Sequence, residues 1–272
     1  ESDRLASVRE TIQQQFNELD DDELEGRPDL VSWVVSELGR SFEPRPTDYV
    51  RRVVADAIGR PVHLEIDNAV PRSRGLGSSA AVMVASAAAA IRATGREPAS
   101  EELYELVTAI EGHGDNAGAA VYGGLVAVAE RTLRHLELSP DLVFVFGVPD
   151  EPLKTKHARH ALPDDIPRAA AARNVARMAF LVEGLRTGDG DALSRAGGDE
   201  IHEVHRNPLS PLTGELMDAA RRGGALHTAW SGAGPTALAI AKDPAGVVDQ
   251  MERVIDGRGR VMVLDVASTG WG

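Results

Sequence analysis

Between residues 71 and 81 the chain reads PRSRGLGSSAA, and an alanine-rich run carries on from it to about Ala93. No other stretch restricts the fold as much. Gly75 and Gly77 let the backbone turn tightly and come close to a ligand. Ser78 and Ser79 then stand at the start of a long helix, where unbonded N–H groups and the helix dipole favour an anion. Gly95 is placed to close that helix as a C-cap. The segment lacks the Gly-Lys-Ser/Thr of a Walker loop and the spacing of a dinucleotide fingerprint. Read alone, it also serves as a capped turn that packs an alanine helix tightly.

The rest of the composition limits what that loop can belong to. The chain has 272 residues, 43% apolar and 26% charged, enough to bury a core in one or two domains. A formal charge of −13 argues against nucleic acid as the main partner, while a small anion needs only a local positive site. With no cysteine, disulfides, thiolate catalysis and Cys-ligated zinc are excluded. No apolar run approaches the ~20 residues that span a bilayer. Glu1 to Asp21 is polar and acidic where a signal peptide is basic and then apolar. The expectation is a soluble, cytoplasmic protein with no membrane or nucleic-acid partner, homodimerisation being left open. The chain begins with Glu rather than Met, so the expectation is also that N-terminal sequence precedes it. Its only lysines are Lys154, Lys156 and Lys242, which shifts anion recognition towards arginine and its planar, two-pronged donor set.

Leu5, Val8, Ile12, Phe16 and Leu19 line one helical face. Leu30 to Leu38 and Tyr49 to Ile58 predict further helices, and Pro61 to Ile66 alternates as a strand does. Downstream, the pattern predicts helices over 101–111 and 168–185, around Ile201 and over 212–222. It predicts strands over 125–129, 142–148 and 261–266, and a strand, glycine turn and strand over 228–241. Helices and strands alternate without a strict βαβ rhythm, which favours α+β over a doubly wound sheet.

Two other stretches carry chemistry. SGAGPT, Ser231 to Thr236, is a glycine turn between strand-like segments, and EGHGDN places Glu111, His113, Asp115 and Asn116 within six residues. The second could hold a metal or a polar ligand, or be a solvated loop. The pairs His157/His160 and His202/His205 are H-x-x-H spacings, but without Cys or H-E-x-x-H they read as isolated histidines rather than zinc ligands.

Taken in order, these segments resemble those of the GHMP kinase superfamily, and within it the homoserine kinases. The phosphate loop P-x-x-x-G-L-G-S-S-A-A stands as Pro71 to Ala81, and a stretch like E-G-H-P-D-N-x-A-x-A-x-x-G-G as Glu111 to Gly124. A T-x-x-x-R followed by L-P appears as Thr155, Arg159, Leu162 and Pro163. A segment like D-x-L-H-x-x-x-R spans Asp199 to Arg206, and S-G-A-G-P-T is intact at 231–236. The resemblance implies a two-layer α+β fold over residues 47–270. Its N-terminal half is ribosomal S5 domain 2-like with a left-handed βαβ unit, its C-terminal half is ferredoxin-like, and a nucleotide lies between them. It implies a kinase of threonine biosynthesis that uses ATP and Mg²⁺. Gly75, Leu76, Gly77, Ser78, Ser79 and Ala80 would cradle the ATP phosphates. The Ser79 hydroxyl and the Glu111 carboxylate would hold Mg²⁺, a hard cation satisfied by oxygen. His113, Asn116, Thr155, Arg159 and Arg206, with Gly232 and Gly234, would face a small hydroxy amino acid, and Arg159 or Arg206 suits its carboxylate. Ser79, Glu111 and Arg206 would be the catalytic group, acting by positioning and charge stabilisation rather than through a dedicated base.

The chain also departs from the family. Nothing in residues 1–70 resembles P-A-S-S-A-N-L-G-P-G-F-D, the opening motif that supplies an Asn and an Asp to the homoserine pocket, and this region reads as helical. Asp48-Tyr49 stands where the family has Asn-Leu near the adenine, and Gly114 replaces the proline of H-P-D-N. These departures support a second reading, a GHMP-fold protein with lost or altered kinase chemistry: a nucleotide-binding regulator, or a lyase or isomerase. Other GHMP kinases, acting on sugars, mevalonate-type alcohols or pantoate, complete the alternatives. The expected organisation is a helical segment over 1–46, a nucleotide-binding domain over 47–150 and a C-terminal domain over 151–272.

Overall fold

The computed structural model describes residues 65–130 and 132–271. The helices expected over 5–19, 30–38 and 49–58, and most of the strand expected over 61–66, lie outside these residues; Glu65 and Ile66 are not in a strand.

Helix α1 runs Ser78–Arg92, α2 Ser100–Glu111 and α3 Asp115–Tyr122, followed by strands β1 Leu125–Ala129, β2 Thr132–Leu136 and β3 Val143–Pro149. Then come α4 Thr155–His160, α5 Arg168–Thr187, α6 Gly190–Arg195 and α7 Glu203–Arg206, with a 3₁₀ turn at Asn207–Leu209. Helix α8 Pro211–Arg222, strands β4 His227–Trp230 and β5 Ala237–Ala241, helix α9 Ala245–Ile255 and strand β6 Gly259–Leu264 complete the order. The helix expected around Ile201 is shorter and later, because residues 200–202 form a turn on the Asp199 carboxylate before α7 begins.

The chain divides into two compact units, residues 1–67 with 82–113, and residues 68–81 with 114–272. In the first, α2 buries Leu103, Tyr104, Val107 and Ile110, the three- and four-residue spacing of one helical face. Gly112, with φ +77°, ends it.

The second unit is built on a four-stranded antiparallel sheet in the order β4-β5-β3-β6. Helices connect β3 to β4 and β5 to β6, while β4 and β5 are joined by the SGAGPT turn. This is the β-α-β-β-α-β arrangement of a ferredoxin-like sheet. Strand β3, apolar almost throughout, takes a central place between β5 and β6, with Val145 opposite Ala239 on one side and Val263 on the other. The expected boundary at 150/151 thus falls just after a strand whose partners both lie beyond it.

One face of the sheet carries the main core: Val145, Ala237, Ala239 and Ala241 meet Leu216 and Met217 of α8 and Val247, Met251 and Ile255 of α9. Helices come close here because the sheet side chains are small. A Cβ on Gly147 would sit 2.6 Å from the Met251 methyl and 3.1 Å from Leu216 Cδ1. On the other face a smaller cluster joins Ile240 and Leu142 to Leu185 at the end of α5 and Leu193 of α6. Strands β1 and β2 form a separate antiparallel hairpin after α3.

Candidate active site

Two glycine turns interlock in the second unit. Ser73, Gly75 and Gly77 all have positive φ, at 52°, 72° and 72°, so the segment before α1 coils back on itself. The Ser231 hydroxyl donates to the Gly75 carbonyl at 2.8 Å. A Cβ on Gly75 would lie 2.0 Å from the Ser231 carbonyl oxygen and 2.8 Å from Gly234 N, so only glycine permits this approach. Within SGAGPT, Gly234 N–H donates to the Ser231 carbonyl at 2.9 Å and Ser231 N–H to the Thr236 carbonyl at 2.9 Å. Gly234 packs against the Trp230 ring, where a Cβ would come within 2.2 Å.

Gly77 differs from Gly75. The nearest atom a Cβ there would meet is Asn116 Oδ1, at 3.9 Å, so its surface is open. The α1 ladder begins with the Ala81 N–H donating to the Gly77 carbonyl at 3.0 Å. The N–H groups of Ser78, Ser79 and Ala80 precede that bond and have no carbonyl in the helix to pair with. Asn68 Nδ2 donates to the Ser78 hydroxyl at 2.8 Å, while Asn68 Oδ1 accepts from Val70 N–H at 3.0 Å. Ser78 is therefore tied to its own loop, whereas Ser79 is exposed at the helix start. Leu76 is half-buried and Ala80 fully buried.

The T-x-x-x-R segment forms α4, with Thr155 at its first position and Arg159 one turn later, both exposed. Arg206, at the end of α7, is only 8% exposed. Its Nη1 donates to the Gly232 carbonyl at 2.9 Å and its Nε to the Ala158 carbonyl at 3.4 Å, bridging the second glycine turn to α4. Burial lowers its pKa, Asp199 opposes that shift, and the Arg159 charge adds to it. The Arg206 guanidinium thus lies beside SGAGPT, bonded to the residue that precedes Arg159. Asp199 itself is clasped by Asn174 Nδ2 at 2.6 Å, Ile201 N–H at 2.7 Å and His202 Nδ1 at 2.7 Å.

Of the residues singled out from sequence, Gly75, Leu76, Gly77, Ser78, Ser79, Ala80, Asn116, Thr155, Arg159, Arg206, Gly232 and Gly234 all fall in the second unit. Glu111, the last residue of α2, and His113 fall in the first. Among the described residues no group of three or more His, Asp or Glu side chains could hold an ion. No described helix is long and apolar enough to cross a membrane. Sequence reasoning passed over Asn68, a turn-forming residue ten positions before Ser78. Arg74 and Ser231 stand inside the two glycine motifs but were given no role of their own, because their partners lie on other segments or in the loop's own backbone.

A ferredoxin-like sheet that clamps a glycine loop at a helix N-terminus defines an α+β protein equipped to hold phosphate by its backbone. The family models agree: residues 48–124 match the GHMP kinases N-terminal domain and residues 181–256 the GHMP kinases C-terminal domain. The homoserine kinase of Moorella thermoacetica is 40% identical over 198 residues, 70% of this chain and 67% of its own length. That of Thermus thermophilus is 37% identical over 210 residues, 76% of this chain and 72% of its own. The crystal structure of homoserine kinase from Cytophaga hutchinsonii superposes with a TM-score of 0.74 at 26% identity, covering 81% of this chain and 76% of that one. The chain belongs to the GHMP kinase superfamily. It is a small-molecule kinase, and its phosphoryl donor is ATP.

Proposed function

We infer that the chain transfers the γ-phosphoryl group of ATP to the side-chain hydroxyl of homoserine or a closely related hydroxy amino acid. The observation that carries the acceptor class is the placement of Arg206, buried at the end of α7 and bonded to the Gly232 carbonyl of the second glycine turn and the Ala158 carbonyl of α4. A guanidinium held there by backbone keeps its outer donors in the planar fork that an amino-acid carboxylate matches. The names of the relatives, homoserine kinases at 37% and 40% identity, support the same acceptor.

The loop 75–80 binds the donor phosphates through backbone N–H groups and the helix terminus, with the open face of Gly77 towards them. The acceptor oxygen bonds to the γ-phosphorus as the bond to the bridging oxygen breaks; ADP leaves, and the hydroxyl proton passes to water. Such a loose transition state is served by alignment and charge more than by a base. The exposed Ser79 hydroxyl is a hard oxygen donor that would take up Mg²⁺ arriving with the nucleotide, which when bound draws charge from the phosphates. Asn116 and Thr155 would complete the acceptor side. The reaction consumes ATP and belongs in the cytoplasm.

ADP release with MgATP should depend on homoserine. Arg206→Lys keeps the charge but cannot reach both the Gly232 and Ala158 carbonyls while presenting a fork. It should lower kcat/KM for the acceptor at least tenfold, about 1.4 kcal/mol, with nucleotide affinity nearly unchanged. Nucleotide binding without turnover of any hydroxy amino acid would sink the acceptor assignment and leave a GHMP protein of altered chemistry. Equal losses for ATP and acceptor would make Arg206 a structural strut alone.

A further inference from the structure

The glycine loop contains one residue that its own sequence does not explain. Ser73 has φ +52°, a left-handed conformation that a residue with a Cβ adopts only where its surroundings impose it. Gly75 and Gly77 reach similar values without that penalty. Something must therefore hold Ser73, and two contacts do. Leu153 N–H donates to the Ser73 carbonyl at 3.2 Å. The neighbouring Arg74 places its guanidinium in a ring of four carbonyls. Its Nε donates to Pro149 O at 2.8 Å and its Nη2 to Asp150 O; its Nη1 donates to Arg72 O at 2.9 Å and reaches Ser73 O at 3.5 Å. Two of those carbonyls lie on the loop itself. The other two are at and just beyond the end of β3, the central strand of the sheet.

This reach, of 75 and 76 positions along the chain, turns one side chain into a staple between the loop and the end of the central strand. A planar guanidinium can serve several carbonyls in one plane; an ammonium is a point donor on a flexible stem. On the far side of the loop, the Ser231 hydroxyl holds the Gly75 carbonyl at 2.8 Å. The loop is gripped before and at its first glycine, and Gly77 and the start of α1 follow immediately.

We propose that Arg74 is a positioning residue for nucleotide binding: by pinning residues 72–75 to the end of β3 it imposes the left-handed backbone at Ser73 and so pre-forms the phosphate cradle. The proposal rests on the reading of the 75–80 loop as that cradle. All four carbonyl contacts occupy Arg74 as a donor to backbone, so its action on phosphate runs through the loop's shape. The loop then enters binding already ordered, and the nucleotide does not have to fix it.

The test uses the full chain and four variants: Ser73→Gly, Arg74→Lys, Arg74→Ala and Ser73→Gly/Arg74→Lys. MgATP affinity is read by a fluorescent ATP analogue and competition with ATP, alongside kcat, both KM values and Tm. Arg74→Lys should weaken MgATP at least tenfold while the acceptor KM stays within twofold. Ser73→Gly alone should be near wild type. In the double variant it should restore at least threefold of the lost affinity, because glycine adopts the left-handed backbone without the staple. Arg74→Ala should lose at least as much as Arg74→Lys; should it fail to fold, Arg74→Lys and the double variant still decide. Full affinity in Arg74→Lys, a drop in Tm with MgATP binding unchanged, or no rescue by Ser73→Gly would each overturn the proposal. A wild-type chain that binds no MgATP would overturn the phosphate-cradle reading and this proposal with it, whereas normal binding in every variant would overturn this proposal alone.

Discussion

Gly75 and Gly77 sit two positions apart with the same φ of 72°, yet they face different things. At Gly75 the missing Cβ makes room for the Ser231 carbonyl, 2.0 Å from where it would stand; at Gly77 it leaves open surface. Substitution to alanine should separate the two. Both carry the left-handed penalty, about 1–2 kcal/mol for a residue with a Cβ. Gly75→Ala adds a clash with backbone that cannot swing aside, so it should lower Tm well beyond Gly77→Ala. Gly77→Ala should fold, with Tm reduced only by its backbone strain, and lose at least tenfold in MgATP affinity because its methyl enters the phosphate face. Thermal denaturation and nucleotide titration on the two proteins check this. Equal Tm losses, or undiminished affinity in Gly77→Ala, would mean that the two glycines do the same job.

The elements legible in the sequence are those whose local chemistry and tertiary fate agree. The glycine-serine start of α1, the uniformly apolar β3 and the strand-turn-strand of β4 and β5 each carry a local signal, and the structure has them within a residue or two. The hairpin strand β2 was missed because TLRHL is mostly exposed, and because its turn places Glu130 at φ +55° without a glycine or asparagine to announce it. Helix α9 was missed for a different reason. Its buried positions Val247, Met251 and Ile255 recur every four residues, but glycine and β-branched residues weaken its intrinsic preference. What secures it is contact with α8: a Cβ on Gly246 would lie 2.6 Å from the Gly223 carbonyl, and one on Gly223 only 2.4 Å from the Gly246 carbonyl. The candidate site shows the same division. The motif residues could be named from their order, while the Arg74 staple and the Arg206 bridge depend on carbonyls that no spacing reveals. For Gly246, propensity and packing give opposite signs. Alanine should favour an isolated helix by about 1 kcal/mol. In the folded chain, Gly246→Ala should instead destabilise by about 1–3 kcal/mol, the usual penalty of overpacking. Denaturant unfolding of the variant decides, and a gain in stability would show that the α8–α9 contact yields easily.

At the scale of the whole molecule, three buried or half-buried groups among the described residues shift stability with pH, and they do not pull together. His227, on β4, is 7% exposed, with its Nδ1 3.2 Å from the Leu193 carbonyl of α6. Burial lowers its pKa below 6.5, and the Arg221 charge adds to the shift. As pH falls through 6.5 the unfolded chain takes up a proton that the folded chain resists, so stability is lost. Glu203 is the opposite case. Burial and the Asp199 charge raise its pKa above 4.5, so on acidification the folded chain protonates first and stability is gained between that raised value and 4.5. For Asp199, burial pushes upward, but the hydrogen bonds from His202, Ile201 and Asn174 outweigh it and hold its pKa well below 3.8. That contribution is intact above 3.8 and disappears only in stronger acid. Between pH 7 and 4.5 the contributions of His227 and Glu203 therefore partly cancel. His227→Gln should remove the losing member and leave stability flat or rising as pH drops towards 4.5. Glu203→Gln should remove the gaining member and leave a steeper fall than wild type over the same range. Both variants should decline together in stronger acid, as Glu200 below 4.5 and Asp199 below 3.8 protonate first in the unfolded chain. Urea unfolding at half-unit pH steps measures all three profiles. If His227→Gln and Glu203→Gln shift the slope in the same direction, the opposition between the two buried groups is wrong.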